Sequence, residues 1–201
     1  MSMALLLVQE GQEIKSAMPW LFCKSQLLGG GLVTSSSQQF KKGAVIGDCN
    51  ELMKWIELVA NAQFSEVAIH RLNSMFSRQR YDIDAIIDGI IVWENLFGAG
   101  GTHELRYRIS MNMARVIADT TNDRLRLQKE IVTLYDKRSH IVHGGKPPNS
   151  SEVSVLTKRI GEITIAAIRS LLTKYPSLVN SGDAGFKRLF LEGAEEPDSS
   201  D

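Results

Sequence analysis

The sequence predicts an all-α protein, a helical bundle over roughly residues 48–175 preceded by a less regular N-terminal segment. Apolar residues recur at helical spacing in successive segments from Asp48 onward. Capping residues and Gly or Pro stops separate these segments. With 201 residues, of which 43% are hydrophobic, the chain is long enough to bury a sizeable core.

The two ends of the chain lack this pattern. The stretch LLGGGLVTSSSQQFKKGAVIG, within residues 1–47, combines Gly and Ser clusters with short apolar runs, which is typical of loops and short strands. Residues 176–201 are predicted to be a C-terminal extension with a solvated acidic tail, EGAEEPDSSD. We therefore expect an irregular segment 1–47, a bundle 48–175 and this extension.

The first three predicted helices begin near Asp48, near Phe64 and at Asp82. In the third helix, DAIIDGIIVWENLFG, isoleucines form an apolar stripe, and Glu94 lies four residues after Ile90 on the same stripe. A buried carboxylate is costly unless it is paired. Glu94 therefore either pairs with an arginine or a protonated histidine, or reaches solvent near the helix end.

Three further helices complete the predicted bundle. They contain HELRYRISMNMARVIADT, then RLRLQKEIVTLYDKRSHIVH, and finally a long apolar pattern that ends at Lys174, before Pro176. The sequence GGKPPNS stops the second of them, since glycine and proline are typical of helix ends. Asn149 followed by Glu152 predicts a capping box at the start of the last helix.

Composition limits the function classes. The formal net charge is zero, so no overall field attracts nucleic acid or a membrane. The middle of the chain is mildly basic, with eleven Lys or Arg against six Asp or Glu from Gly101 to Ile160. Cys23 and Cys49 fit neither a zinc spacing nor a disulfide framework. No apolar run approaches the roughly 20 residues that span a membrane. We expect a cytoplasmic protein with no membrane partner.

The stretch YDKRSHIVHGG, residues 135–145, combines residue types that suit phosphate chemistry. Arg138 can bind a phosphate bidentately, and a histidine can move a proton near neutrality. Together they are a minimal set for metal-free phosphodiester transfer. Arg138 and His143 are five positions apart, about 140° around an ideal helix. Their side chains could therefore converge only at a helix end or across a symmetric interface.

Two other interpretations of this stretch remain open from the residues alone. Asp136, His140 and His143 could share a helix face and bind a metal, although the adjacent Lys137 and Arg138 disfavour a cation. Alternatively, His140 is simply solvated and His143 caps the helix end.

Three blocks in order resemble the HEPN superfamily, especially its Apea-like branch. They are DAIIDGIIVWENLFG, ELRYRISMNMARVI and LYDKRSHIVHGG, and the last contains the arginine, four intervening residues and histidine of that superfamily. The resemblance covers residues 82–145 and leaves residues 1–60 unexplained. It implies a HEPN-type helical bundle that forms a homodimer, with the motifs of both protomers in one composite cleft.

The resemblance also implies an activity and the residues that perform it. The activity is that of a metal-independent endoribonuclease without a cofactor, of toxin or antiviral type, with RNA as substrate and an antitoxin or other protein as a further partner. Arg138 and His143 would be catalytic, Ser139 would assist, and Glu94 would orient Arg138. The RNA 2′-hydroxyl would attack the neighbouring phosphate. The candidate substrate-binding residues are Arg106, Lys137 and His140.

One departure keeps a second function open. Nuclease members of the superfamily often have Asn, Asp or His directly after the arginine, where this sequence has Ser139. Some members do not cleave RNA. The alternative function is therefore a non-catalytic HEPN module that binds nucleotide or RNA, or that dimerises and binds a partner protein.

Overall fold

A computed structural model describes residues 3, 7, 49–78, 82–98 and 104–191. Seven helices have both ends in these ranges: α1 (Cys49–Asn61), α2 (Glu66–Ser77), α3 (Asp84–Phe97), α4 (Leu105–Ile117), α5 (Thr121–Val142), α6 (Ser150–Thr173) and α7 (Pro176–Leu191). The described ranges contain no β-strand, which confirms the predicted all-α class. None of the helices in these ranges is long and apolar enough to cross a membrane.

Polar side chains define where several helices begin. The hydroxyl of Thr120 accepts a hydrogen bond from the backbone N–H of Asp123 at the start of α5, with a distance of 3.1 Å. At the start of α6, Asn149 accepts from the backbone N–H of Glu152, and the Glu152 carboxylate accepts from the backbone N–H of Asn149. The predicted capping box is thus confirmed.

Helix α3 is central to the core and packs against α2, α4 and α6. Trp93 and Phe97 of α3 are fully buried, and the indole N–H of Trp93 donates to the hydroxyl of Thr164 on α6 at 2.8 Å. Helices α3 and α6 approach closely at Gly89, where an added Cβ would lie 2.5 Å from Cγ2 of Ile160. This packing fixes the position of the C-terminal half of α3, which carries Glu94.

Helix α7 lies in the segment that is predicted from the sequence to be a C-terminal extension. Leu178, Phe186 and Leu189 of this helix are buried, and the Phe186 ring centroid is 5.6 Å from that of Phe97. Proline after a helix predicts a stop, but proline is also favoured at the first position of the next helix, where Pro176 lies. The packed helical part therefore continues to Leu191.

Two residues of the predicted irregular segment 1–47 are described. Met3 and Leu7 are both helical and buried, and they join a second apolar cluster that includes Trp55 of α1 and Ile168 of α6. The guanidinium of Arg169 donates to the carbonyl of Leu7. The rest of this segment and the acidic tail after residue 191 lie outside the described residues.

A buried carboxylate links α3 to the neighbouring helix. Asp88 is 1% exposed and accepts hydrogen bonds from Nη1 of Arg71 at 2.9 Å and from Nε of Arg78 at 2.7 Å. Its hydrogen bond to Arg78 is the main reason that the pKa of this guanidinium is raised. Arg71 lies on α2 and Arg78 directly follows it, so the ion cluster ties α2 to α3.

Candidate functional site

The C-terminal end of α5 carries the motif residues and stops at a glycine. Gly144 has a φ of +79°, a left-handed conformation that glycine adopts without strain. The backbone N–H of Gly145 donates to the carbonyl of His140 at 2.9 Å, and that of Gly144 donates to the carbonyl of Ile141 at 3.4 Å. This is the Schellman pattern of helix termination. It places His143 at the helix C-cap, where its side chain is exposed.

The second glycine makes room for a side chain of the same chain. A Cβ at Gly145 would collide with the imidazole ring of His140. The two histidines of the motif therefore have different surroundings. Both side chains are exposed, but the ring of His140 lies against Gly145, whereas His143 occupies the C-cap position.

Glu94 of α3 lies beside Arg138 of α5. Nη1 of Arg138 is 3.8 Å from Oε1 of Glu94, and the two side chains are 21% and 22% exposed. This distance is that of an ion pair and exceeds the length of a hydrogen bond. The fold thus brings together the two residues that the resemblance pairs, although they lie in different helices. Glu94 thus has an arginine as a partner, and at 22% exposed it also keeps some contact with solvent.

Tyr135 completes a group of three side chains. Its hydroxyl donates to the same oxygen of Glu94, Oε1, at 2.7 Å. Burial raises the pKa of Tyr135 to about 12, and the hydrogen bond and the charge of Glu94 add to this effect. The sequence alone does not indicate this role, and Tyr135 stands there only as part of the motif block. Its spacing of three residues from Arg138 makes the two side chains neighbours on α5, but it does not indicate the hydrogen bond to Glu94.

Arg138 retains a donor that no described residue satisfies. Its Nε is shielded from solvent and has no hydrogen-bond acceptor in the described part of the chain. An unsatisfied buried donor is unfavourable, so such groups in native structures call for an explanation, a ligand among them. The guanidinium therefore combines a fixed positive charge with one shielded N–H that has no acceptor among the described residues.

The remaining candidates lie around this group. Nη1 of Arg106 on α4 is 2.6 Å from Oδ1 of Asp136, and both side chains are about half exposed, at 54% and 51%. Lys137 is exposed and Ser139 is half-buried. Asp136, the carboxylate of the metal interpretation, thus faces a cation. No group of three or more His, Cys, Asp or Glu residues is arranged to bind a metal in the ranges that the structure describes.

The raised pKa of Tyr135 predicts a loss of stability at alkaline pH. The folded protein retains the phenol proton until about pH 12, whereas an unperturbed tyrosine loses it near 10.0. The contribution of the protonated Tyr135 to the free energy of unfolding is complete below about pH 10 and disappears as the pH rises toward 12. We expect the urea midpoint of the wild type to fall relative to that of Tyr135→Phe over this interval. Parallel curves for the two proteins would contradict this prediction.

Comparisons with family models, with curated proteins and with solved structures give no match for this chain. The resemblance to the HEPN superfamily therefore rests on the three motif blocks alone.

Proposed function

We propose that this chain is a metal-independent HEPN-type endoribonuclease that acts as a homodimer in the cytoplasm, in toxin or antiviral defence. One observation carries the proposal. Arg138 lies in an ion pair with Glu94 and has an unsatisfied donor, while His143 is exposed at the end of the same helix. A fixed cation and a solvent-accessible imidazole at the same end of one helix are the residue types that phosphodiester transfer needs.

The proposed reaction is an internal transesterification of RNA. The imidazole of His143 accepts the proton of a 2′-hydroxyl, and the 2′-oxygen forms a bond to the adjacent phosphorus. The bond from phosphorus to the 5′-oxygen breaks, and this oxygen takes a proton from a second imidazole. Arg138 stabilises the negative charge on the phosphate oxygens. The products are a 2′,3′-cyclic phosphate and a 5′-hydroxyl, and DNA lacks the required nucleophile.

A homodimer supplies the second imidazole. Within one chain, Arg138 and His143 are separated by about 140° around the helix and about 7.5 Å along it. Two copies of the α5 end, related by a two-fold axis, would place both motifs in one cleft. Val142, next to His143, is a large apolar residue that is 48% exposed in the single chain. A second copy that covered this residue would remove it from water.

Local basic residues would hold the RNA, because the net charge of zero provides no general attraction. Lys137 is exposed and can contact a backbone phosphate. Arg106 is paired with Asp136 at the surface, where such ion pairs contribute little and exchange readily for another anion. His140 is exposed beside Gly145 and would be a further contact to the RNA.

The test uses purified protein in excess EDTA with mixed RNAs, and with an RNA whose single preferred cleavage position carries a 2′-deoxyribose. We expect cleavage of the first, no cleavage at the substituted position, and cyclic phosphate ends on the products. Cleavage that stops in EDTA would favour the metal interpretation with Asp136, His140 and His143. Dimers that bind RNA or nucleotide without cleaving any RNA would favour the non-catalytic module, and an antitoxin or other partner would then be the object of a separate search.

A further inference from the structure

The hydroxyl of Tyr135 has no part in the proposed reaction, yet it donates a hydrogen bond of 2.7 Å to Glu94, the carboxylate beside Arg138. We propose that Tyr135 is a positioning residue: it fixes the Glu94 carboxylate, and through it the guanidinium of Arg138, in the orientation that receives the phosphate. This inference rests on the proposed function for its kinetic consequence, but its structural consequence can be measured without any RNA.

The hydrogen bond from Tyr135 can fix the orientation of the Glu94 carboxylate. A carboxylate held only by an ion pair of 3.8 Å can rotate, because an attraction at that distance has weak directionality. The hydroxyl of Tyr135 adds a directional, charge-assisted hydrogen bond to the oxygen that faces Arg138. The aromatic ring packs against the main apolar core, so the position of the hydroxyl is set by the fold.

The geometry also makes Arg138 dependent on Glu94. Among the described residues, Glu94 is the ionic partner of this guanidinium, and its Nε has no acceptor. A long side chain with one anchor loses its orientation when that anchor moves. Tyr135 therefore fixes the orientation of Glu94, and Glu94 fixes that of Arg138. Both contacts join α5 to α3.

The structural arm of the test monitors the Nε–H group of Arg138 by NMR. This group is shielded from solvent, so its proton should exchange slowly, and its signal is identified by its absence in Arg138→Lys. We expect Tyr135→Phe, which keeps the ring, to raise the exchange rate about tenfold, as for the loss of one hydrogen bond of average strength. Tyr175→Phe is the matched control, because Tyr175 also packs against the main core.

The kinetic arm measures RNA cleavage by the same variants. Tyr135→Phe should lower kcat about tenfold and leave KM within about twofold, since positioning acts on the transition state. In a Glu94→Ala background, Tyr135→Phe should cause no further loss, because the hydroxyl no longer has its acceptor. Tyr175→Phe should cleave at the wild-type rate.

Each outcome separates this inference from the proposed function. Unchanged exchange of the Arg138 proton in Tyr135→Phe overturns the inference, whether or not the wild type cleaves RNA. Faster exchange with an unchanged kcat also overturns it. Faster exchange in a protein whose wild type cleaves no RNA supports the positioning role and overturns the nuclease assignment.

Discussion

Replacement of His143 by alanine should lower the rate of RNA cleavage about a thousandfold, within the range of general acid–base catalysis. The fold should persist, because the side chain of His143 is exposed and takes no part in the hydrogen bonds that end α5. The C-cap hydrogen bond is made by its backbone N–H, which donates to the carbonyl of Ser139 at 3.0 Å, and alanine retains that group. In a composite cleft each homodimer of the variant loses both imidazoles.

The measurement is single-turnover cleavage with protein in excess, accompanied by thermal unfolding and solution mass for each variant. His70→Ala is the matched control, because His70 is an exposed histidine on α2. We expect His70→Ala to cleave at the wild-type rate. A His143→Ala protein that is folded, dimeric and fully active would refute the assignment of His143, and equal losses in both variants would point to a nonspecific effect.

The local signals in the sequence were sufficient for most of the helices. Periodicity and capping identified α6, including the reciprocal hydrogen bonds of Asn149 and Glu152, because both depend on residues close together in the chain. Helix α7 was missed, since a proline such as Pro176 can either end one helix or begin the next. The apolar residues after it, such as Phe186, have a partner only once Phe97 of α3 is placed in space.

The candidate site, like the fold, can be predicted from the sequence only in part. The pattern identified Glu94 as a carboxylate in need of a partner, and the resemblance named Arg138 as that partner. No local pattern indicates that Tyr135 donates to Glu94, because the hydrogen bond joins two helices whose relative rotation is decided by core packing. The same limit applies to Asp88: nothing in a run of apolar residues shows that Arg71 of α2 and Arg78, which follows α2, will both bind it.

Loss of that buried carboxylate should have the largest effect on stability. We expect Asp88→Ala to lower the free energy of unfolding by about 3 kcal/mol, at the lower end of the range for breaking a buried ion pair. Asp88 is 1% exposed, whereas its partners Arg71 and Arg78 are 41% and 31% exposed. The arginines can therefore recover part of their hydration when the carboxylate is removed, which keeps the loss from being larger.

Asp84→Ala is the matched control for this variant, since Asp84 lies on the same helix and pairs with the same Arg78 at 3.4 Å. Its side chain is 56% exposed, so we expect a loss below about 1 kcal/mol, the ordinary value for a surface ion pair near a helix start. Urea unfolding monitored by circular dichroism measures both. The cluster holds α2 against α3, which packs in the centre of the core. We therefore expect Asp88→Ala to shift one cooperative unfolding transition of the whole bundle. Equal losses in the two variants would mean that burial of the carboxylate does not matter.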